Sequence, residues 1–196
     1  MGYVIPPQAI ETTRLSGLGR MAEYGKGERI FTKNQEQNFS AFVEMGLVYL
    51  CAENEQYNRS ILSFFRPGDW FSADMLLPID HGVSYLIAKY LTRLLLFSPE
   101  EQARLRQLYP QDSEADRALL AHTYLLQQRT PRQRLMVFFR EEARRQGSTQ
   151  LHLPLPLADL ADYLAVDRAA MTRELTRMKQ SHLVVGQRRD WEVVER

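Results

Sequence analysis

Leu157–Gln180, LADLADYLAVDRAAMTRELTRMKQ, is the stretch on which the reading of the chain turns. It holds two apolar-patterned segments separated by a tight corner. The first presents Leu160, Ala161 and Leu164, and the second presents Met171, Leu175 and Met178, at the three-and-four spacing of amphipathic helices. Ala161 is small where two helices must cross closely. Val166 sits at the corner and can plug the space between them, and Asp167 is a good N-cap for the second helix. This is the layout of a helix-turn-helix, whose second helix can lie in the major groove of DNA. An ordinary helical hairpin with surface arginines has the same spacing. The exposed side favours DNA. Arg168, Thr172 and Arg173 lie near the start of the second helix and off its apolar face, where such helices touch base edges. An arginine there can donate two parallel hydrogen bonds to guanine O6 and N7. Arg177 and Lys179, one turn on, are better placed for phosphates.

After Leu183 the chain reads as a strand (Val184–Val185), a polar turn (Gly186–Asp190) and a strand (Trp191–Val194), which is a β-wing. Arg188 and Arg189 at its tip are expected to touch phosphates, contacts that add affinity without sequence information. A surface hairpin with no ligand reads the same way. Upstream, Thr130–Pro131–Arg132–Gln133 supplies an N-cap, a first-position proline and a capping-box glutamine. A helix therefore starts there, carries Leu135, Phe138, Phe139 and Ala143 toward a core, and stops at Gly147. The domain boundary is expected at Thr130, as a hinge between two helices. The helix before it, capped by Asp112 or Ser113 and running to about Arg129, spaces Ala115, Leu119, His122, Leu126 and Arg129 by four and three. That is a short seam suited to a partner helix, although packing on its own domain predicts the same spacing. A shorter helix precedes it, with Ser98 as cap, Pro99 first, Glu100 and Glu101 in its first turn, and Pro110 at its end.

Residues 24–98 read mainly as β. Segments such as Ser40–Tyr49, Ser60–Phe65, Ser84–Tyr90 and Arg93–Phe97 are short and rich in Val, Ile, Leu, Phe and Tyr. Turn signals at Gly25–Glu28, Met45–Gly46, Arg66–Asp69 and His81–Gly82 separate them. Tight spacing leaves no room for crossover helices, so a small antiparallel sandwich or β-roll is expected.

The 196 residues, 44% apolar and 25% charged, have ordinary globular composition and room for one large domain or two small ones. No apolar run is long enough to span a membrane and no secretory signal is evident, so a cytoplasmic location is expected. The single cysteine, Cys51, allows no internal disulfide and cannot alone hold an iron–sulfur cluster. The net charge of +1 averages two unlike parts: residues 1–129 carry 13 Lys/Arg and 15 Asp/Glu, and residues 130–196 carry 12 and 9. Positive charge gathers in 166–189, a modest pointer to an anionic partner there. There is no phosphate-cradling Gly-rich loop, GxSxG elbow or HExxH helix, and Asp80–His81 is an isolated pair, so no enzyme is expected.

From Tyr24 to Val194 the chain resembles the Crp/Fnr family of bacterial transcription regulators. YGKGERIF (Tyr24–Phe31), FVEMGLVYL (Phe42–Leu50) and RPGDWF (Arg66–Phe71) resemble the family's β-roll signatures. LADLADYLAVDRAAMTRELTRMKQSHLV (Leu157–Val184) resembles its helix-turn-helix without a gap and is the more specific match. The resemblance implies an α+β chain. Residues 1–110 would form an antiparallel, jelly-roll-like β-roll with a helical lead-in, 111–129 a dimerisation helix, and 130–196 a winged helix-turn-helix. It implies a homodimer on an inverted-repeat site, with double-stranded DNA and RNA polymerase as partners and no metal or other cofactor. Its DNA-facing residues would be Arg168, Ala169, Thr172, Arg173, Arg177, Lys179, Arg188 and Arg189, and its dimer seam Ala115, Leu119, His122 and Leu126.

Several positions depart from the family pattern. Members that bind cyclic AMP hold its ribose with a Gly-Glu pair and its phosphate with an Arg-Ser pair. The corresponding positions here are Ser72–Ala73 and Val83–Ser84, and Ser84 alone survives. A buried phosphate needs a compensating charge, so no binding of cyclic AMP is expected. An effector of other chemistry stays open, with Trp70, Phe71, Met75 and Leu76 either lining a pocket or packing the roll. The family's N-terminal cysteine cluster is missing. His81, His122, His152 and His182 are each read as surface or hydrogen-bonded residues and not as haem ligands. The family's recognition-helix glutamate is replaced by Ala169, which should change the preferred site, and its Thr or Ser cap before the first helix is replaced by Pro156.

Overall fold

Turn residues cut the first half of the chain into the strands β1 (Arg20–Tyr24), β2 (Arg29–Thr32), β3 (Ser40–Met45), β4 (Val48–Asn54), β5 (Arg59–Phe65), β6 (Trp70–Ser72), β7 (Gly82–Ala88) and β8 (Thr92–Phe97). The computed structural model describes residues 19–32, 39–76, 78–79, 81–108 and 114–194, with backbone alone at 32, 105–108 and 114–119. The chain divides into two compact units, Met1–Ala118 and Leu119–Arg196.

The first unit is an antiparallel β-roll of two four-stranded sheets, ordered β1-β8-β3-β6 and β2-β7-β4-β5. Alternation along the strands builds its core: Ala41 and Val43, Val48 and Leu50, Leu86 and Ala88, and Leu94 and Leu96 all point between the sheets. Two turns fix the corners. Gly46 joins β3 to β4 at φ +101°, and a Cβ there would stand 2.6 Å from the Leu91 carbonyl oxygen, so glycine is required. At Arg66–Asp69 the Asp69 carboxylate accepts from the Arg66 amide (2.8 Å) and Gly68 takes φ +93°. Phe71 and Leu76 are buried in the core with Met75 packed against it, whereas Trp70 joins Phe42, Leu95 and Phe97 on the opposite face of the first sheet. These four side chains serve packing.

The cassette positions are unlike a phosphate site. The Ser72 hydroxyl donates to the Asp74 carboxylate, Ala73 opens a single 3-10 turn (Ala73–Met75), Val83 is half-buried, and Ser84 is buried on β7 opposite Ala52. On the sheet's other face the Tyr85 hydroxyl donates to Glu53 (3.2 Å) beneath the Arg29 guanidinium, 4.2 Å from the ring centroid. Burial, with Cys51 and Glu53 alongside, pushes the Tyr85 phenol up to about 12.

Helix α1 (Pro99–Leu108) starts where expected: the Ser98 hydroxyl accepts from the Glu101 amide (3.3 Å), and the Glu101 carboxylate accepts from the Ser98 amide (2.7 Å). Helix α2 (Glu114–Leu126) begins in the first unit and ends in the second. Its expected cap, Asp112 or Ser113, lies outside the described residues, as do Pro110 and Asp80.

The second unit adds α3 (Pro131–Gln146), β9 (Gln150–His152), α4 (Leu157–Tyr163), α5 (Arg168–Gln180), β10 (Val184–Gln187) and β11 (Asp190–Val193). Its three-stranded sheet is ordered β10-β11-β9 and includes the expected wing. Thr130 and Gln133 form the full capping box, and Gly147 ends α3 at φ 62°. Leu135, Phe139, Leu160, Ala161, Leu164 and Met178 are among its fully buried side chains. The units divide inside α2, after Ala118, and not at the Thr130 hinge expected from the caps. The physical reason is that the last turns of α2 are tied into the second unit. The buried His122 stacks on Tyr163 at 4.0 Å, and Arg134 bonds the Leu126 carbonyl (3.1 Å).

Candidate nucleic-acid interface

The corner between α4 and α5 is built as its residues predict, with one addition. Leu160, Ala161 and Leu164 of the first helix are fully buried, and Met171, Leu175 and Met178 of the second are buried against them. The Asp167 carboxylate accepts from the Ala170 amide at 2.9 Å and caps α5. Pro156, in the cap position of α4, makes no side-chain cap bond. The addition is Ala165, which turns the corner at φ 50°, a left-handed conformation that favours glycine.

Burial of Met171, Leu175 and Met178 turns Ala169, Thr172, Arg173, Thr176 and Arg177 outward. Three of the cations on this surface have intramolecular partners. Arg168 stands 3.5 Å from Asp162 of α4. Arg177 stands 3.5 Å from Glu174, whose half-buried carboxylate also takes Arg132 of α3 at 2.5 Å. Lys179 lies 4.9 Å from the ring centroid of Trp191 on the wing. The hydroxyl of Thr172 donates to the Arg168 carbonyl at 2.8 Å, so toward a ligand it offers an acceptor and a methyl group. Arg173 is exposed and has no side-chain partner among the described residues.

The wing separates two arginines that the sequence treats alike. Arg188 is exposed at the turn, with φ 54°. Arg189 turns inward: its guanidinium donates to the carbonyls of Leu153 and Pro154, both at 2.7 Å. These bonds give the Arg189 side chain a structural role within its own unit. Two backbone carbonyls before α4 lack helical partners, and a planar guanidinium satisfies both at once.

Of the four residues expected at the dimer seam, the structure describes the side chains of two. His122 is buried and its Nε2 lies 2.8 Å from the Tyr163 carbonyl, so it packs within its own unit. Leu126 is half-buried. The side chains of Ala115 and Leu119 lie outside the described ones. Among the described residues of this helix the large apolar side chains left exposed are Leu120 (69%) and Tyr124 (62%), one turn apart. His81 pairs with Glu55 (3.1 Å) and His152 with Asp190 (2.8 Å). Sequence reasoning also missed Arg134 and Glu174. Both act between helices far apart in the chain, and a periodicity along one helix carries no trace of that.

Residues 133–196 match the Crp-like helix-turn-helix domain family. Over 185 residues the chain is 26% identical to the nitrogen fixation regulation protein FixK of Rhizobium meliloti (strain 1021), covering 91% of this chain and 86% of that protein. This chain carries a Crp-like helix-turn-helix domain. Its fold is that of FixK2 from Bradyrhizobium japonicum (TM-score 0.71, 20% identity, 91% of this chain and 93% of that one). It is equally that of a CooA mutant from Carboxydothermus hydrogenoformans (TM-score 0.72, 20% identity, 93% and 86%). The chain thus joins a Crp-like helix-turn-helix domain to a β-roll unit, in the fold it shares with these two structures. No helix among its described residues is long and apolar enough to cross a membrane.

Proposed function

We propose that the protein binds an inverted-repeat DNA site as a homodimer, with α5 in the major groove and Arg173 reading a guanine edge. The observation that carries this reading is the isolation of Arg173. Arg168, Arg177 and Lys179 on the same helix each have an intramolecular partner, whereas Arg173 has none among the described residues. An exposed guanidinium fork with no internal acceptor is ready for two parallel bonds to guanine at no cost in broken contacts. Arg168 and Ala169 flank the same groove face, Thr172 offers it an acceptor, and Arg177 and Arg188 reach phosphates. Lys179 contributes long-range charge.

The homodimer reading rests on Leu120 and Tyr124, which leave an apolar strip of α2 in water. A second copy of α2 covers that strip and sets the two α5 helices about 34 Å apart, one turn of DNA. Cyclic AMP is not the effector in this reading, because Ala73 and Val83 supply neither the glutamate nor the arginine its ribose and phosphate need. Selection from random DNA tests the whole proposal. It should enrich an inverted repeat with half-site centres one turn apart. Arg173→Ala should weaken that site by about 1–3 kcal/mol, roughly 5- to 150-fold, and relax one position in each half. An equal loss on every sequence would make Arg173 a phosphate contact.

A further inference from the structure

Arg134 lies half-buried on the first turns of α3, and its guanidinium gathers carbonyl oxygens from two separate places. Nε donates to Gln128 (2.9 Å) and Nη2 to Leu126 (3.1 Å), at the end of α2. Nη1 donates to Leu164 (2.8 Å) and to Ala165 (3.0 Å), at the corner of the helix-turn-helix. The last carbonyls of a helix have no intrahelical partner and carry its negative end. Here the ends of α2 and α4 converge on one cation. Farther back along α2, His122 makes a second tie, with its ring stacked on Tyr163 and Nε2 2.8 Å from the Tyr163 carbonyl. The loop crossed by these ties is closed further by the Thr130–Gln133 capping box.

We propose that Arg134 and His122 are positioning residues that lock the last turns of α2 and the helix-turn-helix corner into one rigid lever. Thr130 is then a fixed elbow and not a hinge, and any bend between the dimer helix and the DNA-reading helix lies before Leu119. The division of the chain after Ala118 agrees with this placement. Because Leu164 and Ala165 form the corner just before α5, the last turns of α2, from Leu119 on, set the direction of the recognition helix. Only arginine suits this position, since its planar fork reaches four acceptors at fixed angles, which the single ammonium of lysine cannot do. The functional consequence rests on the reading of α5 as the recognition helix, but the rigidity itself does not.

The test measures rigidity without DNA. Nitroxides are placed at Ala121→Cys on α2 and Gln180→Cys on α5 of the full chain. Both sites are exposed, and the native Cys51 is buried away from label. Dilution with unlabelled protein isolates the distance within one protomer. The expected result is a single narrow distance distribution that stays put when the selected DNA is added. Arg134→Lys, which keeps the charge, should broaden it. If the competent arrangement falls to a tenth of the population, DNA binding weakens about tenfold. The salt dependence of binding should not change, because no phosphate contact is lost. His122→Ala gives an independent broadening should the lysine variant fold poorly. A broad wild-type distribution, one that shifts on DNA, or narrow distributions in both variants would overturn the lever. A narrow wild-type distribution in a protein that selects no DNA site would leave the lever standing and reject the proposed function instead.

Discussion

Replacing Arg189 with alanine distinguishes a structural wing arginine from a DNA-contacting one. The guanidinium donates two hydrogen bonds of 2.7 Å to the Leu153 and Pro154 carbonyls from a half-buried position. Hydrogen bonds from a charged donor contribute about 1.5–3 kcal/mol each, and access of water to the vacated carbonyls favours the low end. The expected loss is therefore about 3 kcal/mol from the second unit, enough to lower its midpoint by roughly 12–24 °C for a unit of that size. The chain has two tryptophans, Trp70 in the roll and Trp191 buried beside the wing turn, so the fluorescence of a Trp70→Phe background reports the second unit alone. The same variant, studied well below its midpoint, should keep the salt slope of DNA binding. Arg188→Ala should behave in the opposite way, with unchanged stability and a slope smaller by about one. An Arg189→Ala protein of undiminished stability and reduced slope would refute the inward assignment.

Three further outcomes follow from particular contacts. Ala165→Gly relieves a left-handed alanine at about 1–2 kcal/mol and gives back part of that as chain entropy, so denaturant unfolding should show a net gain of about 0.5–1 kcal/mol. Leu120→Glu with Tyr124→Glu places charge on the proposed seam and should shift sedimentation toward the monomer while leaving the tryptophan signals intact. Tyr85, whose folded phenol is pushed up to about 12, adds stability that is fully present below the unfolded value near 10. That stability fades as pH rises from 10 through 12. Tyr85→Phe should flatten this alkaline loss in pH-dependent unfolding.

Much of the fold was legible because its signals are local. Ser98, Thr130, Asp167 and Gly147 cap helices through bonds between residues three or four apart, which is within reach of a sequence pattern. The apolar stripes of α4 and α5 and the turn at Arg66–Asp69 are legible for the same reason. What escaped depends on the meeting of distant segments. His122 fits a seam by its spacing, yet its ring reaches Tyr163, 41 residues away. Arg189 looks identical to Arg188 as a wing cation, yet its acceptors are 36 and 35 residues upstream. Ala165 shows no sign of a left-handed corner, because the usual mark of one is glycine. The basic surplus of the C-terminal third also proved uneven, since part of it is taken up by carbonyls and carboxylates within the unit.

Whether α5 reads DNA sequence through Arg173 is tested most directly by genome-wide occupancy. The wild-type protein is compared with an Arg168→Ala/Arg173→Ala variant at matched expression. Discrete wild-type peaks should share an inverted repeat and vanish in the variant while the protein stays folded. Peaks of equal position and height in both proteins would contradict sequence reading by this helix.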